Sequence, residues 1–284
     1  MTRRLYVGRM EVVRNRLDIA YDRVGQGPPL VLVHGAGDDH RMWQPQLETL
    51  ADEFTVIAWD EPGAGCSSDL PGGFGLADYA SCLAAVIEAA SLSPAHVAGL
   101  SWGGVVVLEL YRRRPELIAS LILADTYAGW KGSLPAAEVR ARVADSRKML
   151  AAPAVSFDLT PTGLFAGEPP ARFVPLLEEM RAGVRARTLS TQLRLIAKTD
   201  QRDLLPGITV PTLLIWGELD ARSPLSVARQ FSLAIPDATL VVIPRAGHVS
   251  NLDQPEQFND AVRAFCRAHS RRRPNRLYRR RPDD

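Results

Sequence analysis

Cysteine is scarce in this chain: Cys66, Cys82 and Cys266 are the three in 284 residues, and no two have a paired spacing. An odd, scattered set excludes a disulfide framework and suits a reducing compartment, so a cytoplasmic location is expected. Lysine is nearly absent: Lys131, Lys148 and Lys198 are the only ones among 34 basic residues, a bias that says more about coding composition than about chemistry. No apolar run approaches the roughly 20 residues of a membrane-spanning helix. The opening MTRRLYVGRM has charge but lacks the apolar stretch of a signal peptide. There is no H-E-x-x-H, no Cys/His cluster at ligand spacing, no G-x-G-x-x-G and no Walker-type loop; GAGDDH and GAGCSS fit neither glycine pattern. Metal and nucleotide chemistry therefore have no motif to rest on, and no cofactor is expected.

Charge of one sign is also missing from most of the chain. Net charge is +2, yet eight arginines and two aspartates fall between Arg267 and the C-terminus, so the remainder is mildly acidic. The run SRRRPNRLYRRRPDD reads as a solvated terminus, not as a nucleic-acid or membrane patch. No nucleic-acid or membrane partner is expected, and oligomeric state is not legible. The 46% hydrophobic share is enough for a sizeable core at this length.

What is present is an alternation. MEVVRN and LDIAYDRVG read as two opening strands. PPLVLVHG, FTVIAWD, AHVAGLS, LIASLILADT, TLLIWGE and TLVVIPRAG are short apolar runs of the kind that form strands buried on both faces. Between them lie helical patterns: MWQPQLETLAD, LADYASCLAAVIEAASL, GGVVVLELYRRR, SPLSVARQFSLAIP and PEQFNDAVRAFCRAH. This order predicts an α/β fold, a mostly parallel sheet with helices on both faces. The alternation stops between Tyr127 and Pro206, where pieces such as PLLEEMRAGVRARTLSTQLRLIAK are helical. The expected division is a core of residues 1–126 and 207–270, a helical cap insertion at 127–206 and a basic tail at 271–284. The cap would sit above the carboxyl ends of the strands, where ligands bind in open α/β sheets.

One stretch calls for chemistry. In HVAGLSWGGVVVLEL a serine, Ser101, stands between Gly99 and Gly103 where a strand hands over to a helix. Small flanking residues allow a tight, strained turn that exposes the hydroxyl at a helix N-terminus, where developing negative charge is favoured. A glycine-rich turn with an incidental serine is the plain alternative; the strand–turn–helix context speaks against it.

A serine nucleophile needs a base, and the base needs an orienting acid. His248, between the last strand and the last helix, reaches the same carboxyl edge as Ser101. His96 opens a strand at the opposite edge, His40 flanks a helix and His269 falls in the basic terminal stretch. His34 belongs to a glycine-rich turn. For the acid, Asp220 in TLLIWGELD is favoured. Glu218 is still turning out of the strand, Asp125 ends another strand on the same edge and remains a rival, and Asp60 serves the loop after its own strand. The oxyanion of acyl transfer needs preorganised N–H donors. Those of Trp102 and of Ala36, in the turn HGAG, are the candidates.

Five motifs in this order, HGAG, DEPGAGCS, GLSWG, GELD and GHVSNLDQPEQF, resemble the α/β-hydrolase fold family from about Leu17 to Ala268. The order Ser, Asp, His is also the family's. Two departures concern the pocket wall: relatives often carry an arginine or aromatic residue near Glu61, and a polar residue where Cys66 stands. A serine at 101 argues against the carboxylate-nucleophile epoxide hydrolases and dehalogenases of this fold. The branch most similar is that of enol-lactonases and small esterases. The resemblance implies a cofactor-independent ester or lactone hydrolase working through an acyl-enzyme on Ser101. A carbon–carbon bond hydrolase with the same triad, or a ligand receptor of negligible turnover, are the alternatives. For the pocket, Trp43, Trp59, Tyr127, Trp130 and Phe165 could supply apolar surface. The cap's Arg172, Arg181, Arg185, Arg187 and Arg194 could hold a substrate carboxylate, although a solvated helix face is the commoner fate of such residues.

Overall fold

A computed structural model describes residues 9–151 and 163–270. The tail at 271–284 therefore lies outside the described residues. Eight strands form one sheet: β1 (Arg9–Asn15), β2 (Leu17–Val24), β3 (Pro29–Val33), β4 (Thr55–Trp59), β5 (Ala95–Leu100), β6 (Ile118–Ala124), β7 (Thr212–Gly217) and β8 (Ala238–Ile243). Their spatial order is β1-β2-β4-β3-β5-β6-β7-β8. The β1–β2 and β2–β4 pairs are antiparallel and all the others parallel. The order doubles back at β3, beside β5, so the loops after these two strands meet at the carboxyl edge. In an open α/β sheet that crevice is where ligands bind.

The helices are α1 (Gln44–Leu50), α2 (Leu76–Ala89), α3 (Trp102–Arg113), α4 (Trp130–Ser133), α5 (Ala136–Ala151), α6 (Val174–Ala182), α7 (Ala186–Lys198), α8 (Leu225–Ala234), α9 (Ser250–Asp253) and α10 (Pro255–His269). None of the described helices is long and apolar enough to cross a membrane.

The apolar runs are explained by two cores, one on each sheet face. Along β3, Val31 and Val33 join the core under α2, α3 and α8, while Leu30 and Leu32 join the core under α1 and α10. Side chains alternate along a strand, so a strand covered on both faces has no polar position to spare. Trp43 and Trp59 are among the largest fully buried side chains and belong to these cores, not to a pocket wall. His269 corrects the sequence reading: it is the last residue of α10, with its ring 4.6 Å from that of Phe265. The amphipathic period of PEQFNDAVRAFCRAH carries the helix through it.

Candidate active site

The handover from β5 to α3 is tight for steric reasons. A Cβ on Gly99 would meet Gly103 O and Gly104 N at 2.6 Å, and one on Gly103 would meet Val33 O at 2.2 Å. Ser101 itself has φ of 53° and ψ of −117°, a strained combination for an L residue. Its backbone is pinned: Ser101 N–H donates to Ala124 O at 3.0 Å, and the Thr126 hydroxyl donates to Ser101 O at 2.5 Å.

The structure brings Ser101, His248 and Asp220 into one chain of hydrogen bonds. His248 Nε2 lies 2.8 Å from Ser101 Oγ, and His248 Nδ1 lies 2.9 Å from Asp220 Oδ2. A carboxylate accepts, so Nδ1 carries the proton and Nε2 is left to accept from the hydroxyl. The other oxygen of Asp220 accepts from the backbone N–H groups of Arg222 and Ser223, both at 2.8 Å. His248 and Asp220 are buried, and Ser101 is half-buried at the cavity floor.

The rival acids have other partners. Asp125 accepts from Gly217 N–H at 2.8 Å, and from the backbone N–H and hydroxyl of Ser250 at 3.3 and 2.6 Å. It thereby ties the ends of β6 and β7 to the loop that carries His248. Burial, and then the nearby charge of Asp220, push its carboxyl well above the usual range. Glu218 is at the surface, accepting from Arg245 N–H. Asp60 accepts from Cys66 N–H and from the backbone and Nδ1 of His40. It organises the following loop, as its position suggested. His96 bonds to Ser120 at the far edge, and burial pushes its pKa down to about 4.

Ala36 and Trp102 line the same cavity as Ser101 and His248. Behind them runs a buried polar lattice that sequence reasoning missed. His34 Nδ1–H donates to Gly35 O, and Nε2 accepts from Glu61 N–H, so the ring is a single neutral tautomer. Burial, the largest influence, lowers its pKa further. The indole N–H of Trp102 donates to Glu61 Oε2 at 2.8 Å, and Gln192 of α7 donates to the other oxygen. Gln192 also accepts from Gly37 N–H. Glu61 and Gln192 thus join the HGAG turn, the start of α3 and α7. Glu61 is fully buried, and its desolvation raises its pKa well above the ordinary range. The only hint of this in the sequence was that relatives of the resembled family often carry an arginine or aromatic residue near Glu61.

The cavity has a volume of about 300 Å3. Of the five aromatics offered for it, Tyr127, Trp130 and Phe165 contribute to the lining. Of the five cap arginines, Arg181 alone does so. Arg185 instead reaches Gly65 O and Ser67 O, and Arg172 lies over the ring of Phe173. Four charged residues of the lining were not anticipated: Asp38, Arg142, Glu178 and Arg222. Arg222 stands two positions after Asp220 on the strand edge, a placement that could have flagged it. For metal-type donors, Asp39, His40 and Asp60 come within 4.8 Å of one another, but they are engaged with protein: Asp39 with Arg41, and His40 with Asp60.

Comparison with known proteins places this geometry in context. The family model for the alpha/beta hydrolase fold matches residues 28–255. RutD of Azorhizobium caulinodans, which carries the name of a carbamate hydrolase, is 31% identical over 255 residues, covering 88% of this chain and 95% of that one. The pimeloyl-[acyl-carrier protein] methyl ester esterase of Vibrio parahaemolyticus is 28% identical, covering 88% and 98%. Among solved structures, a malate-bound thermophilic esterase from Thermogutta terrifontis superposes with a TM-score of 0.79 at 29% identity, covering 92% of this chain and all of that one.

Proposed function

The chain belongs to the alpha/beta hydrolase fold family, and from that premise we propose that it is a serine hydrolase cleaving a carboxylic ester, lactone or closely related acyl bond. The observation that carries the reading is the pair of contacts at His248, 2.8 Å to Ser101 Oγ and 2.9 Å to Asp220 Oδ2. A hydroxyl already bonded to a neutral imidazole can lose its proton as it attacks, and a carboxylate behind the ring stabilises the imidazolium that results.

The steps follow from these groups. Ser101 Oγ forms a bond to the substrate carbonyl carbon while its proton passes to His248 Nε2. The carbonyl oxygen becomes an anion held by the N–H groups of Ala36 and Trp102. The C–O bond to the alcohol breaks, and the alcohol leaves with the proton from His248. Water then gives a proton to His248 and adds to the acyl-enzyme, and collapse returns the proton to Ser101 and releases the acid. A carbamate carbonyl is open to the same attack, and the name carried by RutD extends the reading to that class. No described helix could cross a membrane, and a small soluble substrate fits the cavity volume. Residues 127–206 are read as the cap over this site. Gln192 supports that reading, because it crosses from α7 to the HGAG turn.

The test is a turnover panel of aryl esters, lactones and carbamates, run with Ser101→Ala alongside. Ser101→Ala is expected to lower kcat by about a thousandfold or more while leaving the melting temperature close to that of the parent. Fluorophosphonate should label the parent at Ser101. Undiminished turnover in the variant would remove the nucleophile assignment. Rapid labelling without turnover across the panel would favour a ligand receptor.

A further inference from the structure

The cavity that holds Ser101 carries charges the triad does not use. Arg222 follows Asp220 by two residues, and its position is set from both sides. Its N–H donates to Asp220 Oδ1 at 2.8 Å, and its carbonyl accepts from Arg142 Nη2 at 2.6 Å. Arg142 is committed to the wall. It also bonds to Glu138 and to the Tyr127 hydroxyl, and its guanidinium packs over the rings of Tyr127 and Trp130. The Arg222 guanidinium has no carboxylate within ion-pair distance among the described residues. Arg222 lines the same cavity as Ser101 and His248.

A half-buried guanidinium is costly to leave without a counter-ion. The acidic groups of the same lining do not supply one. Glu178 is exposed on α6. Asp38 is pushed up to about 7, by burial first and by Asp39 second, so near neutral pH it is not a full negative charge. The rest of the wall is largely apolar, with Met42, Leu100, Phe165, Leu193 and Ile196 among its residues. Of the three arginines in the lining, Arg142 is tied into the wall and Arg181 is exposed on α6. That leaves Arg222 as a half-buried guanidinium without an ion-paired carboxylate among the described residues, in the cavity that also holds Ser101 and His248.

We propose that Arg222 is the anchor for a carboxylate on the substrate, and that the protein acts on acyl compounds with a short apolar spacer between that carboxylate and the scissile carbonyl. A half-ester of an aliphatic dicarboxylic acid is the simplest member of the class. The inference rests on the hydrolase reading for the bond that is cut, and it adds what the substrate must carry. A planar guanidinium can grip a carboxylate through two parallel N–H bonds, which fixes orientation as well as adding affinity. This anchor is in the loop after β7, whereas the sequence had pointed to arginines of the cap.

Binding and turnover are measured separately so that the two readings fail separately. Ser101→Ala is titrated calorimetrically with the monomethyl esters of succinate, glutarate and adipate, and with methyl esters of the matching unsubstituted acids. At least one half-ester is expected to bind tenfold or more tighter than its neutral partner. Adding Arg222→Gln should cut that preference at least fivefold, and Arg222→Lys should restore part of it, with melting curves showing that each variant is folded. Equal affinity for acidic and neutral partners, or a preference that survives Arg222→Gln, overturns the anchor. The same esters are then given to the protein with Ser101 intact. Turnover without preference for the half-esters overturns the anchor and leaves the hydrolase reading standing. An Arg222-dependent preference in binding with no turnover of these esters, nor of the aryl ester, lactone and carbamate panel, upholds the anchor and sinks the hydrolase reading.

Discussion

Asp38 shows how much one residue's surroundings change its chemistry. The residue directly after Ala36-Gly37 would be an ordinary surface aspartate in an extended chain. Here its carboxylate folds back over the HGAG turn, close enough that a Cβ on Gly35 would sit 2.7 Å from Oδ2. Burial, then the charge of Asp39, carry its pKa from the ordinary 3.8 to about 7. Between those values the unfolded chain has released a proton that the folded chain retains. Stability contributed at this site therefore falls as pH rises through that window and stays reduced above it. Asp38→Asn removes the titration, so it is expected to raise the melting temperature more at about pH 8 than at about pH 5. Equal shifts at both would show that the carboxyl is already ionised in the fold. The same scale explains why Asp220, not Asp125, meets the imidazole. Both stand at strand ends on one edge, but the two oxygens of Asp125 are taken by Gly217 and Ser250. Nothing in the local sequence separates the two, because the choice depends on which partners arrive from elsewhere in the chain.

At the scale of elements, the bend between β5 and α3 was legible because its cause is local. A strand cannot turn so sharply into a helix unless side chains are missing on either side of the turn, and Gly99 and Gly103 announce that. Gly103 has the harder task. Besides the bend, it lets α3 lie against the end of β3, where a Cβ would meet Val33 O at 2.2 Å and His34 O at 2.6 Å. Gly103→Ala is expected to destabilise by about 1–3 kcal/mol in denaturant unfolding, as overpacking of a tight core does. It should also lower turnover, because the atoms it displaces lead into the HGAG turn that carries Ala36, the proposed oxyanion donor. A neutral outcome in both measurements would mean that helix and strand can part without cost. The lattice of His34, Glu61, Trp102 and Gln192 was not legible in this way. Its members come from four elements or loops, and each alone is an unremarkable polar residue beside a strand, a turn or a helix.

Over the whole molecule, stability is expected to be unevenly spread. The helix α3 buries ten of its twelve residues against the sheet and α2, whereas α5 has no buried residue. Local opening follows buried apolar contact, so amides of α5 should exchange with solvent well before those of α3 in native-state hydrogen exchange. Equal protection would mean that α3 and α5 open only together. The sequence by itself determined the strand and helix order, the parallel sheet and its two covered faces, since hydrophobic period and glycine placement act over a few residues. It also singled out Ser101, His248 and Asp220, because each stands just past a strand and a parallel sheet sends all such positions to one edge. What lines the cavity was decided only by tertiary structure. Trp43 and Trp59 went to the cores, Arg185 went to a neighbouring loop, and Arg222 joined the lining of the cavity that holds Ser101. A side chain's direction and its partners depend on which distant segments pack beside it, and no local pattern encodes that.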